Sequence, residues 1–90
     1  MLPPACDRAE GLAHAQAGRP AEAVRALRRA LARFERLSVP FEAARTREHL
    51  AALESPTAAR PLLEVARSAY ERLACAPRQH ALRARLLALA

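Results

Sequence analysis

The chain says nearly the same thing twice. Phe34-Glu35-Arg36-Leu37 returns 36 positions later as Tyr70-Glu71-Arg72-Leu73, and Arg47 and Leu50 return at the same interval as Arg83 and Leu86. In-phase copies with a period in the mid-thirties leave few architectures open, because that spacing is the mark of stacked helix pairs in an α-solenoid. Composition makes the repeating unit helical. Ala, Leu, Arg and Glu dominate, and they are among the best helix formers. With no Ile and only three Val, the sequence offers little β-branched material for strands.

Prolines divide the chain. Pro3-Pro4 precede a first helix over about 5–17, Gly18-Arg19-Pro20 break it, and a second helix runs to about Leu37. Ser38-Val39-Pro40, Ser55-Pro56-Thr57 and Ala76-Pro77 then delimit helices over about 41–54, 58–74 and 78–89. Pro20 suits the first turn of its helix, and Pro61 falls in the first turn of the fourth. Ser55 or Thr57 is placed to cap that fourth helix. Links this short set successive helices antiparallel.

Apolar spacing supports the same division. Ala23, Leu27, Ala30, Phe34 and Leu37 form one stripe at helical period, and Ala59, Leu63, Ala66, Tyr70 and Leu73 repeat it. The third helix offers Phe41, Ala44, Leu50, Ala51 and Leu53, so all three aromatic residues fall on stripes expected in the core. The expected fold is all-α: about five helices in a stack of antiparallel pairs forming one domain over residues 1–90. The first repeat covers about 5–37, the second about 41–74, and a terminal capping helix about 78–89.

Gly11, Ala23, Leu27 and Ala30 stand at intervals of 12, 4 and 3. This pattern resembles the tetratricopeptide repeat, which places a small residue in its first helix and small, large apolar and small residues in its second at those intervals. The resemblance implies that Gly11 and Ala23 face each other where two helices cross closely, and that Ala30 admits the next repeat. Gly18-Arg19-Pro20-Ala21-Glu22-Ala23 looks like the family's turn. The second copy departs from the pattern, with Arg47 in the place of Gly11 and Glu54 in that of the turn glycine. Its period is 36, against about 34 in the family.

Ala-Leu-Ala-Arg-Phe-Glu-Arg-Leu followed by Ala44-Arg45-x-Arg47-x-x-Leu50 also resembles the repeat regions of large bacterial transcriptional regulators of the LuxR and MalT type. That resemblance implies a sensor or scaffold region rather than a DNA-reading domain. The glycine that closes the second helix in those repeats is Ser38 in one copy and Ala74 in the other. Termination is therefore expected to fall to Pro40 and Pro77.

The charge is +6, all of it from arginine. Such an excess fits a nucleic-acid partner, but it lies on separate segments and lacks aromatic residues interleaved for stacking. A basic helical nucleic-acid-binding protein is therefore the alternative reading, and a protein-interaction or scaffold module the preferred one. The row Arg25, Arg29, Arg33, Arg36 is the best candidate for anion binding, and a solvated face relieved by Glu22 and Glu35 is the plainer reading. Glu42 is expected beside Arg45, and Glu64 beside Arg67.

No glycine-rich phosphate loop and no nucleophile constellation is present, so neither an enzyme nor a cofactor is expected. Cys6 and Cys75 are expected to be free thiols, and His14, His49 and His80 lack metal-ligand spacing. With no signal-like N-terminus and no long apolar run, a cytoplasmic protein is expected.

The family resemblance places a groove for a protein or peptide partner on the first helix of each pair, lined by Arg8, Leu12 and Gln16 and then by Phe41, Ala44 and Glu48. The last helix, with Leu82, Leu86, Leu87 and Leu89, opens a third copy without its partner. It is expected to form an edge through which the chain self-associates, as in a homodimer.

Overall fold

A computed structural model describes residues 2–89. Five helices follow one another: α1 (Pro4–Gln16), α2 (Pro20–Arg36), α3 (Pro40–Ala51), α4 (Pro56–Arg72) and α5 (Ala76–Ala88). Each carries a proline at its first or second position. There the missing N–H removes no helical bond, and the fixed φ is already helical. The prolines thus begin helices as well as separate them, which moves α3, α4 and α5 one or two residues upstream of the sequence expectation. Ser55 caps α4, its hydroxyl accepting from the Ala58 N–H at 3.4 Å. Because α4 begins at Pro56, Pro61 lies in its second turn rather than its first. Its missing N–H leaves the Thr57 carbonyl without the usual helical donor, at an exposed position.

The helices pack each on the next. Along α1 and α2 the partners run in opposite directions. Asp7 meets Arg33, Glu10 meets Arg29, and His14 meets Arg19. The two helices are therefore antiparallel. They cross closely at Gly11, where an added Cβ would stand 2.7 Å from Leu27 Cγ and 3.2 Å from the Ala23 carbonyl oxygen. Glycine at this position follows from contact, and Ala23 faces it, as the resemblance implied.

Burial follows the repeat. Ala23, Leu27, Ala30 and Phe34 are buried in α2, and Ala59, Leu63, Ala66 and Tyr70 are buried at the same register in α4. The main core joins α3, α4 and α5 through Ala44, Ala51, Leu63, Tyr70 and Leu82. A smaller one joins Ala30 and Phe34 to Ala43. Both stripes end three residues sooner than expected, at Phe34 and Tyr70. Leu37 and Leu73 are 61% and 42% exposed. Each is the C-cap of its helix, where the chain is already turning away from the core. Phe41, expected in the core, is 38% exposed and rests edge-on against the Tyr70 ring, with centroids 5.7 Å apart.

Three helices end alike. Ser38 donates its N–H to the Glu35 carbonyl and Val39 to that of Phe34, each at 3.1 Å. Ala74 and Cys75 repeat this with Glu71 and Tyr70, and Gly18 and Arg19 with Ala15 and His14. This paired pattern is the Schellman motif, and it needs a left-handed residue. Gly18 has φ 75°, and Ser38 and Ala74 take φ 54° and 56° without being glycine. The helices are closed by left-handed residues in the glycine positions, and Pro40 and Pro77 belong to the helices that follow.

Candidate functional site

The odd-numbered helices meet on one face. Arg8 of α1 donates from Nη2 to Glu42 Oε2 of α3 at 2.8 Å. Arg78 and Arg85 of α5 reach Oε1 of Glu48 in α3, at 3.7 and 3.5 Å. A cleft of about 330 Å³ opens between α3 and α5, lined by Arg45, Glu48, His49, Ala52, Arg78 and Arg85. Helical geometry assembles it. Positions 45, 48, 49 and 52 lie at i, i+3, i+4 and i+7 on one side of α3, and Arg78 and Arg85 stand two turns apart on α5.

Glu48 holds the cleft together. Its Oε2 accepts the Tyr70 hydroxyl at 2.5 Å, and Arg85 also donates from Nη2 to its backbone carbonyl at 3.5 Å. Its side chain is 12% exposed, and α4 and α5 both reach α3 through it. Burial, and then the hydrogen bond to the Glu48 carboxylate, push the Tyr70 hydroxyl well above the ordinary tyrosine range, so it remains a donor across the usable pH range.

The cleft is electropositive. Three guanidinium groups face one carboxylate, and that carboxylate is already shared. Arg45 has no carboxylate partner among the described residues. His49 registers this field. Its pKa is lowered from 6.5, first by burial and then by the positive charges of Arg45, Arg8 and Arg78, with Glu48 opposing them. At neutral pH its imidazole is therefore uncharged and free to take part in a hydrogen bond.

The expected groove residues divide. Arg8 is committed inside the fold: it pairs with Glu42, lies 5.2 Å from the centroid of the Phe34 ring, and its Nη1 is buried with no hydrogen-bond partner among the described residues. Ala44 is completely buried in the main core and cannot line a groove. Glu48 lies on the expected face, but its carboxylate already accepts the Tyr70 hydroxyl and pairs with Arg78 and Arg85. Leu12 is half-buried, and Gln16 and Phe41 are exposed.

At the expected self-association edge, Leu82 belongs to the core and is fully buried, because α5 packs on α4 through it. Leu86 and Leu89 are half-buried against the same core, and only Leu87 stands in solvent. Sequence reasoning missed Arg45, His49, Arg78 and Arg85 as a group. The available signal was the shared face of 45, 48, 49 and 52 opposite the two-turn arginine pair of α5.

The arginine row of α2 is mostly used internally. Arg29 and Arg33 reach back to Glu10 and Asp7 of α1, while Arg25 pairs with Glu22. Glu35 pairs instead with Arg47 of α3 at 3.3 Å. Glu42 pairs with Arg8 rather than Arg45, and Glu64 lies 4.0 Å from Arg60 rather than beside Arg67. Among the described residues, ten of the fifteen arginines, namely Arg8, Arg25, Arg28, Arg29, Arg33, Arg47, Arg60, Arg67, Arg78 and Arg85, lie within 4.0 Å of a carboxylate.

Cys6 and Cys75 are free thiols. Among the described residues no group of three or more His, Cys, Asp or Glu could hold a metal ion, and no helix is long and apolar enough to cross a membrane. Comparison with protein-family models, curated proteins and solved structures gives no match.

Proposed function

We propose that this chain is a tetratricopeptide-like interaction module that binds an acidic segment of a partner protein along the face of α1, α3 and α5. The observation that carries the reading is the cleft whose three arginines outnumber its one, already engaged, carboxylate. A carboxylate entering it meets Arg45, which has no acidic partner among the described residues, and bidentate pairing of this kind is strong and directional. The solenoid reading is supported by matched burial in α2 and α4 at an interval of 36 and by the close crossing at Gly11. A place in a regulator or signalling scaffold follows from the resemblance of the Phe-Glu-Arg-Leu and Ala-Arg-x-Arg segments to regulator repeats.

The same positive charge suits nucleic acid, but most arginines are neutralised by neighbouring carboxylates rather than aligned in a tract, so a protein partner is preferred. The test is fluorescence anisotropy with labelled octaglutamate. Wild-type protein binds at low salt, and Arg45→Glu weakens binding at least tenfold while the circular dichroism of the fold is kept. Equal binding by both proteins removes the cleft from the account. Tight, sequence-dependent binding of duplex DNA at moderate salt favours the nucleic-acid reading instead.

A further inference from the structure

The repeat register assigns a second surface, on the opposite side of α5. Leu86 stands 36 positions after Leu50, and Leu87 stands 36 after Ala51. In α3 both residues are buried, and Ala51 shares a core with Ala59, Leu63 and Ala66 of α4. On α5 no helix follows within the described residues, and Leu87 is 76% exposed. Leu86, Leu87, Arg60 and Arg83 line a shallow, largely apolar depression of about 330 Å³. Leu87 lies nine residues from Arg78, or two and a half helical turns, which puts it on the far side of α5 from the basic cleft.

Charge decides what covers this surface. Glu35 neutralises Arg47 in the first copy, whereas its counterpart Glu71 turns to Arg67 and leaves Arg83 without an acidic partner among the described residues. Arg60, the other basic residue at the rim, has only a loose contact with Glu64, at 4.0 Å. Neither acid nor lysine occurs in α5. Two copies meeting through this face would bring arginine rim against arginine rim. We infer that α5 docks an amphipathic helix from a partner protein, with an apolar face against Leu86 and Leu87 and acidic residues flanking it toward Arg60 and Arg83. Such docking is the helix-in-groove mode of recognition. The surface is separate from the cleft and does not depend on it.

The experiment uses the full chain, labelled with nitrogen-15, titrated with a synthetic helix-forming peptide that carries leucines on one face and glutamates on both flanks. Amide shifts centre on residues 60, 83, 86 and 87. Leu87→Asp and Arg83→Glu, both at exposed positions, each weaken binding at least tenfold, and Arg45→Glu leaves it unchanged. The inference is overturned if the shifts centre on Arg45, His49 and Arg78, or if a peptide with lysine flanks binds equally well. It is also overturned if sedimentation equilibrium finds a dimer that Leu87→Asp dissolves, since a second copy is then the occupant. The octaglutamate titration with Arg45→Glu reports on the cleft alone, so either site can fail without the other.

Discussion

Replacing Ala74 by glycine should stabilise this protein, although glycine within a helix usually lowers stability. Ala74 holds φ 56° in the Schellman turn that closes α4, and Ser38 holds φ 54° at the end of α2. A left-handed conformation costs a residue with a Cβ about 1–2 kcal/mol, and glycine escapes that cost. Against this, glycine frees the unfolded chain by about 0.4–1 kcal/mol. Both side chains are exposed, so no burial is lost. The difference is a gain of about 0.5–1 kcal/mol for Ala74→Gly and a similar gain for Ser38→Gly. The two turns lie at the ends of different helices, so the double variant should gain about 1–2 kcal/mol. In a domain of this size 1 kcal/mol moves the melting temperature by about 4–8 °C, well within reach of thermal and urea unfolding. Gly18→Ala, at the matching turn with φ 75°, is the reciprocal control and should lose about 1 kcal/mol. If Ala74→Gly and Ser38→Gly destabilise while Gly18→Ala is neutral, the helices do not end in left-handed residues and the reasoning fails.

Gly11→Ala should lower stability by about 1–2 kcal/mol, because overpacking at a close crossing costs about 1–3 kcal/mol and the gain in helix propensity returns only part of it. The clash with Leu27 Cγ and the Ala23 carbonyl identifies the site of strain, and Leu27→Ala in the same chain should relieve it in a double-mutant cycle. Tyr70→Phe should cost about 1–3 kcal/mol in chemical unfolding, since it removes the hydroxyl that Glu48 accepts at 2.5 Å while keeping the ring against Phe41.

Helix number and order were legible from the prolines, and the pattern of Ala23, Leu27, Ala30 and Phe34 carried over unchanged to Ala59, Leu63, Ala66 and Tyr70. Local spacing sufficed there, because a residue's place on a helix decides which side it presents. It failed at Leu37 and Leu73, where the cap turns the chain after the last regular position. Phe41 was misplaced for a different reason. It lies in the first turn of α3, 38% exposed, and meets the core through a T-shaped contact with the Tyr70 ring.

Charge partners were the least legible part. Glu42 has Arg45 three residues away and still pairs with Arg8, because α1 delivers a guanidinium at 2.8 Å. The pairing of Glu35 with Arg47 gives the repeated Glu and Arg a role in joining α2 to α3, and the second copy does not reproduce it. The cleft depended on α5 approaching α3, a tertiary contact that neither helix specifies alone.

The imidazole of His49 offers the most direct reading of the cleft. Burial, Arg45, Arg8 and Arg78 together hold its pKa below 6.5. The folded chain thus binds fewer protons than the unfolded chain as pH falls through 6.5, so His49 makes acidification destabilising, with the effect growing toward the lowered folded value. An acidic segment lodged beside Arg45 and Arg78 offsets their field and raises that pKa. By linkage, its affinity then increases as pH falls through the same window. The measurement is the NMR titration of the His49 ring with and without saturating octaglutamate. The account predicts a free pKa below 6.5 that moves upward when the peptide is bound. A free value at or above 6.5, or a value unchanged in the presence of bound peptide, would contradict an anion-binding cleft at α3 and α5.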